Sequence, residues 1–221
     1  VGLGIDQSKN FWLSDAAGAK IRAFAIHGNR LVQVAAFEPK LHTSMGWERA
    51  GPHGMFVDAN DHLYCWMSFL YQGIGEVGMT EYDISRPARP RVMRSTFDPN
   101  FPDVPPDTMA IDGKGYIYAA NTLSEIGVRV YPPKWSAAQP PVAVIGGYTR
   151  RGGYTLGSIA SLAVLPDGTL YVAAGDTSGH RPSIVVYGPG ASGNPKPQQI
   201  ITSDFFQYGD GNDYGNLLAI K

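Results

Sequence analysis

Gly54-Met55-Phe56-Val57-Asp58, followed after a polar turn by Leu63-Tyr64-Cys65, is a pair of short apolar runs that the chain carries four times over. Gly2-Leu3-Gly4-Ile5-Asp6, Thr108-Met109-Ala110-Ile111-Asp112 and Ser161-Leu162-Ala163-Val164-Leu165 hold the same place in the other units. Their last residues, Asp6, Asp58, Asp112 and Leu165, are spaced at 52, 54 and 53 residues. The second run begins five residues beyond each anchor, as Phe11-Trp12-Leu13, Ile117-Tyr118-Ala119 and Leu170-Tyr171-Val172. Self-similarity at a fixed period of this size marks a solenoid, a propeller or an array, in which each unit buries its apolar face against a neighbour.

Working outward from the anchors, each unit reads as four short strands. They are predicted at 2–6, 11–14, 20–26 and 31–37; 54–58, 63–67, 78–84 and 91–97; 108–112, 116–120, 127–131 and 142–145; and 161–165, 169–173, 183–187 and 198–202. The turn between the first two strands is polar or glycine-bearing each time, as in Gln7-Ser8-Lys9-Asn10 and Pro166-Asp167-Gly168. Such residues accept the backbone conformations that tight hairpins require. No segment sustains an apolar period of 3.6, so helix is expected to be scarce. Four antiparallel strands per unit, radially repeated, describe an all-β propeller of four-stranded blades. The units run about 1–52, 53–106, 107–159 and 160–215, within one domain spanning 1–221. Asn216-Leu217-Leu218-Ala219-Ile220-Lys221 has the look of a fifth innermost strand, with Lys221 at the phase of the anchor aspartates. About four blades and the start of a fifth, within a longer ring, are therefore expected. The terminal strand edges would then need partners.

Composition agrees with many strands and tight turns. The 221 residues include 27 glycines and 17 prolines, are 43% hydrophobic and only 17% charged, which argues against disorder. A net charge of −1 provides no basic field for nucleic acid. No run approaches the ~20 apolar residues that span a bilayer as a helix. Cys65 stands alone, so an intrachain disulfide and a cysteine zinc cluster are both excluded. Its place within a strand run reads as a packed thiol. Val1 is not a start methionine, as in a processed secreted protein or a fragment, and the expected location is extracellular or periplasmic.

The units also carry a family resemblance. Pro52-His53-Gly54-Met55-Phe56-Val57-Asp58 and Asp167-Gly168-Thr169-Leu170-Tyr171-Val172-Ala173 resemble NHL-type propeller repeats. The stretch Ile184-Val185-Val186-Tyr187-Gly188-Pro189-Gly190-Ala191-Ser192-Gly193-Asn194 is similar to the inter-blade segment of bacterial NHL-like proteins. The resemblance covers essentially the whole chain. It implies a propeller, usually six-bladed, and leaves function open among scaffolds, lyases and lactonases.

His53 is the foremost chemical candidate, because it precedes an innermost strand, where side chains face the channel mouth of a propeller. Imidazole titrates near neutrality and serves as ligand or base. Pro52-His53-Gly54 resembles motifs of amidating and virginiamycin-type lyases, whose histidines supply metal ligands or a general base. The matching positions here are Val1, Asp107, Ala160 and Asn216, so the three or so converging ligands of a metal site are not repeated. Lactonase-type relatives hold calcium with oxygens, for which Asp107, Asn121 and Asp176 are the candidates. No cofactor is expected, with calcium and zinc kept open as alternatives. Asp6, Asp58 and Asp112 recur at a strand end and read as turn-bonding residues. No nucleophile elbow, phosphate loop or dinucleotide fingerprint is present.

Binding residues are sought in the connections at 38–51, 98–107 and 146–160. Trp47 and Trp135 lie outside the repeated runs, and Arg150 and Arg151 sit between glycine pairs, suited to an anionic partner. Aromatics on a rigid platform anchor protein interfaces. The leading reading is a non-catalytic, rigid protein-binding or assembly module with a protein partner or neighbouring subunit. The alternatives are a metal-assisted lyase or lactonase using His53 and a carbohydrate binder using exposed aromatics.

Overall fold

The structure, a computed structural model, describes residues 2–71, 74–98, 105–121, 127–136, 139–147, 156, 158–174 and 183–202. Among these there is no helix. The fold is all-β, built from four antiparallel four-stranded blades of the β-propeller type. Blade 1 comprises β1 (Leu3–Ile5), β2 (Phe11–Asp15), β3 (Lys20–His27) and β4 (Arg30–Phe37). A two-stranded hairpin follows, β5 (Lys40–Thr43) and β6 (Gly46–Arg49). Blade 2 is β7 (Gly51–Val57), β8 (His62–Tyr71), β9 (Ile74–Asp83) and β10 (Arg91–Asp98). Blade 3 is β11 (Thr108–Ile111), β12 (Ile117–Ala120), β13 (Val128–Tyr131) and β14 (Ala143–Ile145). Blade 4 is β15 (Ile159–Val164), β16 (Leu170–Ala174), β17 (Ser183–Tyr187) and β18 (Gln199–Thr202). Every blade is a meander in chain order. The expected fifth strand at 216–221 lies outside the described residues.

The turn after each innermost strand explains the repeat. The amides of Asp6, Asp58, Asp112 and Leu165 donate to the carbonyls of Asn10, His62, Tyr116 and Thr169, at 2.9 to 3.1 Å. The third residue beyond each anchor adopts positive φ: Lys9 at 66°, Asp61 at 57°, Gly115 at 85° and Gly168 at 93°. The aspartates bond this turn, as expected. Asp58 Oδ1 accepts from the amides of Asn60 and His62, and Asp112 Oδ1 from those of Lys114 and Tyr116. Asp6 is the most engaged, accepting from the Asn10 amide, Asn10 Nδ2 and Trp12 Nε1 at 2.8 to 2.9 Å.

The chain divides into two compact units, Val1–Asp107 with Trp135–Pro140, and Thr108–Lys134 with Pro141–Lys221. In the first, Trp12, Ile21 and Ala23 of blade 1 share a core with Met55, Leu63, Cys65, Met67 and Tyr82 of blade 2. The inner strands approach closely because β1 carries little bulk. A Cβ on Gly2 would lie 2.5 Å from Met55 Cβ, and one on Gly4 would overlap the Val57 side chain. Burial pushes the Cys65 thiol up to about 12, so it is the packed thiol expected. In the second unit, Tyr118, Val128 and Val130 of blade 3 meet Leu162, Leu170, Val172, Val185 and Tyr187 of blade 4.

Two features depart from expectation. The connection 38–51 holds the β5–β6 hairpin, whose Leu41 and Thr43 point inward while His42 between them is exposed. Its two inward positions are too few to make a period in sequence. Strands β8 and β9 are ten residues each, longer than expected, because backbone pairing continues from Ser68↔Val77 to Tyr71↔Ile74.

The Asp6 carboxylate decides a testable point. Asp6→Ala leaves two backbone and side-chain donors of Asn10 and the Trp12 indole without their buried acceptor. Losing such acceptors costs about 1–3 kcal/mol. Urea denaturation should show that destabilisation for Asp6→Ala and much less for Asp167→Ala, whose carboxylate is exposed. Equal effects would show that the turn bonds are not what holds the blade.

Candidate functional site

His53 sits in β7 at a bulge. Pro52 pairs with Met67 and Met55 with Cys65, so His53 and Gly54 lie in the shifted stretch between two regular pairs. Bulges re-aim side chains in this way. The His53 Nε2 is 2.9 Å from Ser68 Oγ, and its Nδ1 is 4.0 Å from Asp107 Oδ1. The backbone is engaged as well: the His53 carbonyl accepts from Ser14 Oγ at 2.7 Å, and the Gly54 amide donates to the Pro106 carbonyl at 2.9 Å. Burial holds the imidazole below its ordinary value of 6.5, with Asp107 opposing that shift. His53 and Asp107, named separately from sequence, are therefore neighbours. Among the described residues no group of three or more His, Cys, Asp or Glu is arranged to hold a metal ion. Of the candidate calcium oxygens, Asn121 is buried and Asp176 lies outside the described residues.

The two candidate tryptophans part company. Trp47 lies on β6 with half of its surface exposed, edge-on to His42 at 5.1 Å between ring centroids. Its hairpin is pinned to blade 2. The Lys40 amide donates to Tyr82 Oη, Thr80 Oγ1 donates to the Lys40 carbonyl, and the His42 amide donates to Ser95 Oγ. At the hairpin tip, the Ser44 amide and hydroxyl both donate to the buried Glu76 carboxylate. Trp135, also named as a binding candidate, is fully buried, its ring 5.3 Å from that of Trp66 and its Nε1 donating to the Gln139 carbonyl at 2.7 Å. A connection position in sequence carried no sign of that packing. Arg150 and Arg151 lie outside the described residues.

Sequence reasoning missed two other features. Within the second unit a cavity of about 330 Å³ is lined by Asp112, Lys114, Tyr118, Asp167, Gly188 and Ala191, among others. Burial and the Asp112 carboxylate push the Tyr118 hydroxyl up to about 12. On blade 1, Leu3, Phe11, Leu13, Phe24, Ile26 and Leu31 surround an open hollow of about 510 Å³. The blade 1 hollow was legible only as apolar strand residues. Also missed was a charge cluster on blade 2, where His62 Nδ1 is 3.4 Å from Glu81 Oε1 and Arg94 Nη2 is 3.2 Å from Glu81 Oε2. Among the described residues, no helix is long and apolar enough to cross a membrane.

No protein-family model matches this chain, and no curated protein matches it. Among solved structures it is similar to the PQQ-bound form of an aldose sugar dehydrogenase from Streptomyces coelicolor. That likeness covers 90% of this chain and 80% of the other, at 13% identity and a TM-score of 0.42. It is weak, and no function is inferred from it.

Two measurements check these placements. The His53 pKa is lower in the folded chain than in the unfolded one, so the stabilisation is complete above 6.5 and declines as pH falls below it. Denaturation at about pH 7.5 and about pH 5.5 should give a steeper loss in the parent than in His53→Gln; identical slopes would show that the fold does not hold the ring neutral. Trp135→Ala should lower stability by about 3–5 kcal/mol, as emptying a large buried site does. A negligible change in the denaturation midpoint would contradict the buried placement.

Proposed function

We propose that this chain is an NHL-like propeller module that binds another protein rather than turning over a substrate. The observation that carries the reading is Trp47, half-exposed on a hairpin that hydrogen bonds fix to blade 2. A large amphipathic ring on an ordered platform loses little freedom on binding, and such residues dominate interface energetics. Met45, exposed at the same hairpin, adds a flexible apolar contact beside it. His53, by contrast, is occupied with a serine hydroxyl, a neighbouring carboxylate and the strand backbone, a set of contacts suited to holding a bulge in place.

The test uses the purified chain immobilised beside its Trp47→Ala variant, each exposed to extract of the source cells and analysed by mass spectrometry. The expected result is a protein retained by the parent and depleted at least tenfold on Trp47→Ala, equivalent to about 1.4 kcal/mol. Equal retention would remove Trp47 from the reading. Metal analysis of the same preparation discriminates the catalytic alternative. Stoichiometric zinc or calcium that disappears in His53→Gln would replace the binding module with a metal-assisted lyase or lactonase.

A further inference from the structure

Arg86-Pro87-Ala88-Arg89-Pro90-Arg91, where β9 turns into β10, puts three arginines within six residues of a chain whose net charge is −1. The backbone of this turn is held from several sides. Ile84 is buried, and its amide donates to the Asp61 carbonyl at 2.9 Å, so the chain leaves β9 from a packed position. Asp83 pairs with Arg91 across the ladder and closes the loop at its base. Within the loop the Arg89 amide donates to the Arg86 carbonyl at 2.8 Å. Pro87 follows Arg86 in that turn, where its fixed φ is favoured, and Pro90 restricts Arg89 before it. Asp83, Ser85, Arg86, Arg89 and Arg91 surround a hollow of about 390 Å³. They belong to one continuous stretch of a single blade, so the hollow is made locally by one hairpin.

Asp83 is the one carboxylate around the hollow, and it is already engaged. Its Oδ1 accepts from the Ser85 amide at 3.0 Å and the Ser85 hydroxyl at 2.7 Å, and its Oδ2 from Arg91 Nη2 at 3.2 Å. The Ser85 bonds, with the Arg91 charge, hold Asp83 below the usual carboxylate range, so it stays ionised and offsets Arg91. Among the described residues, no carboxylate pairs with Arg86 or Arg89. The adjoining β7–β8 turn does not supply one: Asp61 Oδ1 accepts from the Gln7 amide, and His62 faces Asp58 and Glu81. The hollow therefore keeps an excess of two positive charges. We propose that it binds the phosphate group of a phosphate monoester. Such a group carries a charge of about −1.5 to −2 at pH 7 and offers three acceptor oxygens, which matches that excess. Guanidinium forks give paired N–H···O bonds to phosphate, which a lysine ammonium does not, and all three cations here are arginines. A single carboxylate would leave one of the two charges unmatched. Two charges are also few beside the many phosphates of a polynucleotide, so the ligand is a small phosphorylated compound or a phosphomonoester headgroup. The volume lies within the range of small-ligand sites, about 300–1,000 Å³. The site stands whether or not Trp47 contacts a protein.

Isothermal titration calorimetry of the purified chain with glycerol 3-phosphate tests this. Saturable binding is expected, weakened by sodium chloride because exposed charges are screened. The doubly substituted Arg86→Gln, Arg89→Gln protein, altered only at exposed positions, should bind about tenfold more weakly or worse, with an unchanged circular dichroism spectrum. Arg49→Gln, which removes an exposed arginine paired with Glu38, should bind as the parent does. A parent that takes up no glycerol 3-phosphate overturns the proposal. So does a double variant that binds as tightly as the parent, and so does acetate bound as tightly as the phosphate, which would show a general attraction of anions. Should the double variant lose its spectrum, the single Arg86→Gln protein serves in its place, judged by the same loss of affinity. Vesicles of phosphatidylcholine containing phosphatidic acid, whose headgroup is also a phosphomonoester, distinguish the source. Co-sedimentation of the parent but not of the double variant assigns the site to a lipid headgroup. Binding of glycerol 3-phosphate without co-sedimentation assigns it to a soluble phosphorylated compound.

Discussion

At the end of each innermost strand, one backbone amide bonds the carbonyl four residues on, and much of the structure depends on that closure. The residue just before the accepting carbonyl must enter the left-handed region. Glycine does so freely at positions 115 and 168, whereas Lys9 and Asp61 do so as side-chain-bearing residues. With the turn closed, the register between first and second strands is fixed, and a slip of one residue would exchange the two faces of the blade. Because the register is the same in all four blades, residues at equivalent positions point the same way. Leu63 and Leu170 are buried by that rule, and Phe11 is aimed into the hollow on blade 1 by the same rule.

The frame is constant while its filling varies. In the first unit, Trp12 stands edge-on to Phe37, Phe37 to Tyr82, and Ile84 is buried beside them. In the second, pairing puts Tyr118 in the place of Trp12, Ile145 in that of Phe37 and Pro189 in that of Ile84. Smaller side chains on an unchanged ladder leave the cavity of about 330 Å³. Tight packing elsewhere does not close it, because the backbone hydrogen bonds of each blade hold the strands at their own spacing.

This division explains what could be read from the sequence. Turn residues and apolar alternation are local, so most strands fell within a residue or two of their places, and the recurring aspartates disclosed their role in the turn. The β5–β6 hairpin was illegible because only Leu41 and Thr43 face inward, and its hold on blade 2 comes from Tyr82, Thr80 and Ser95, far along the chain. Trp135 escaped for a related reason: its site is made by Trp66, from another strand, and by the Gln139 carbonyl. Pro52-His53-Gly54 drew attention to His53, but the sequence held no sign that a bulge would turn the ring toward Ser68 and Asp107.

Two opposed effects act on the basicity of His53. A general base is most useful when its pKa lies near the working pH, and a carboxylate partner normally raises an imidazole toward that range. Here burial outweighs the attraction of Asp107, which at 4.0 Å from Nδ1 lies beyond direct hydrogen-bond reach. Burial thus favours the neutral ring, with Nε2 beside a hydroxyl and the His53 carbonyl bonded to Ser14 of blade 1. Those contacts join β7 to β8 and to β2 at the point where the bulge interrupts the regular ladder. The bond from Ser14 to the His53 carbonyl ties the inner edge of blade 1 to that of blade 2, whose buried side chains share one core.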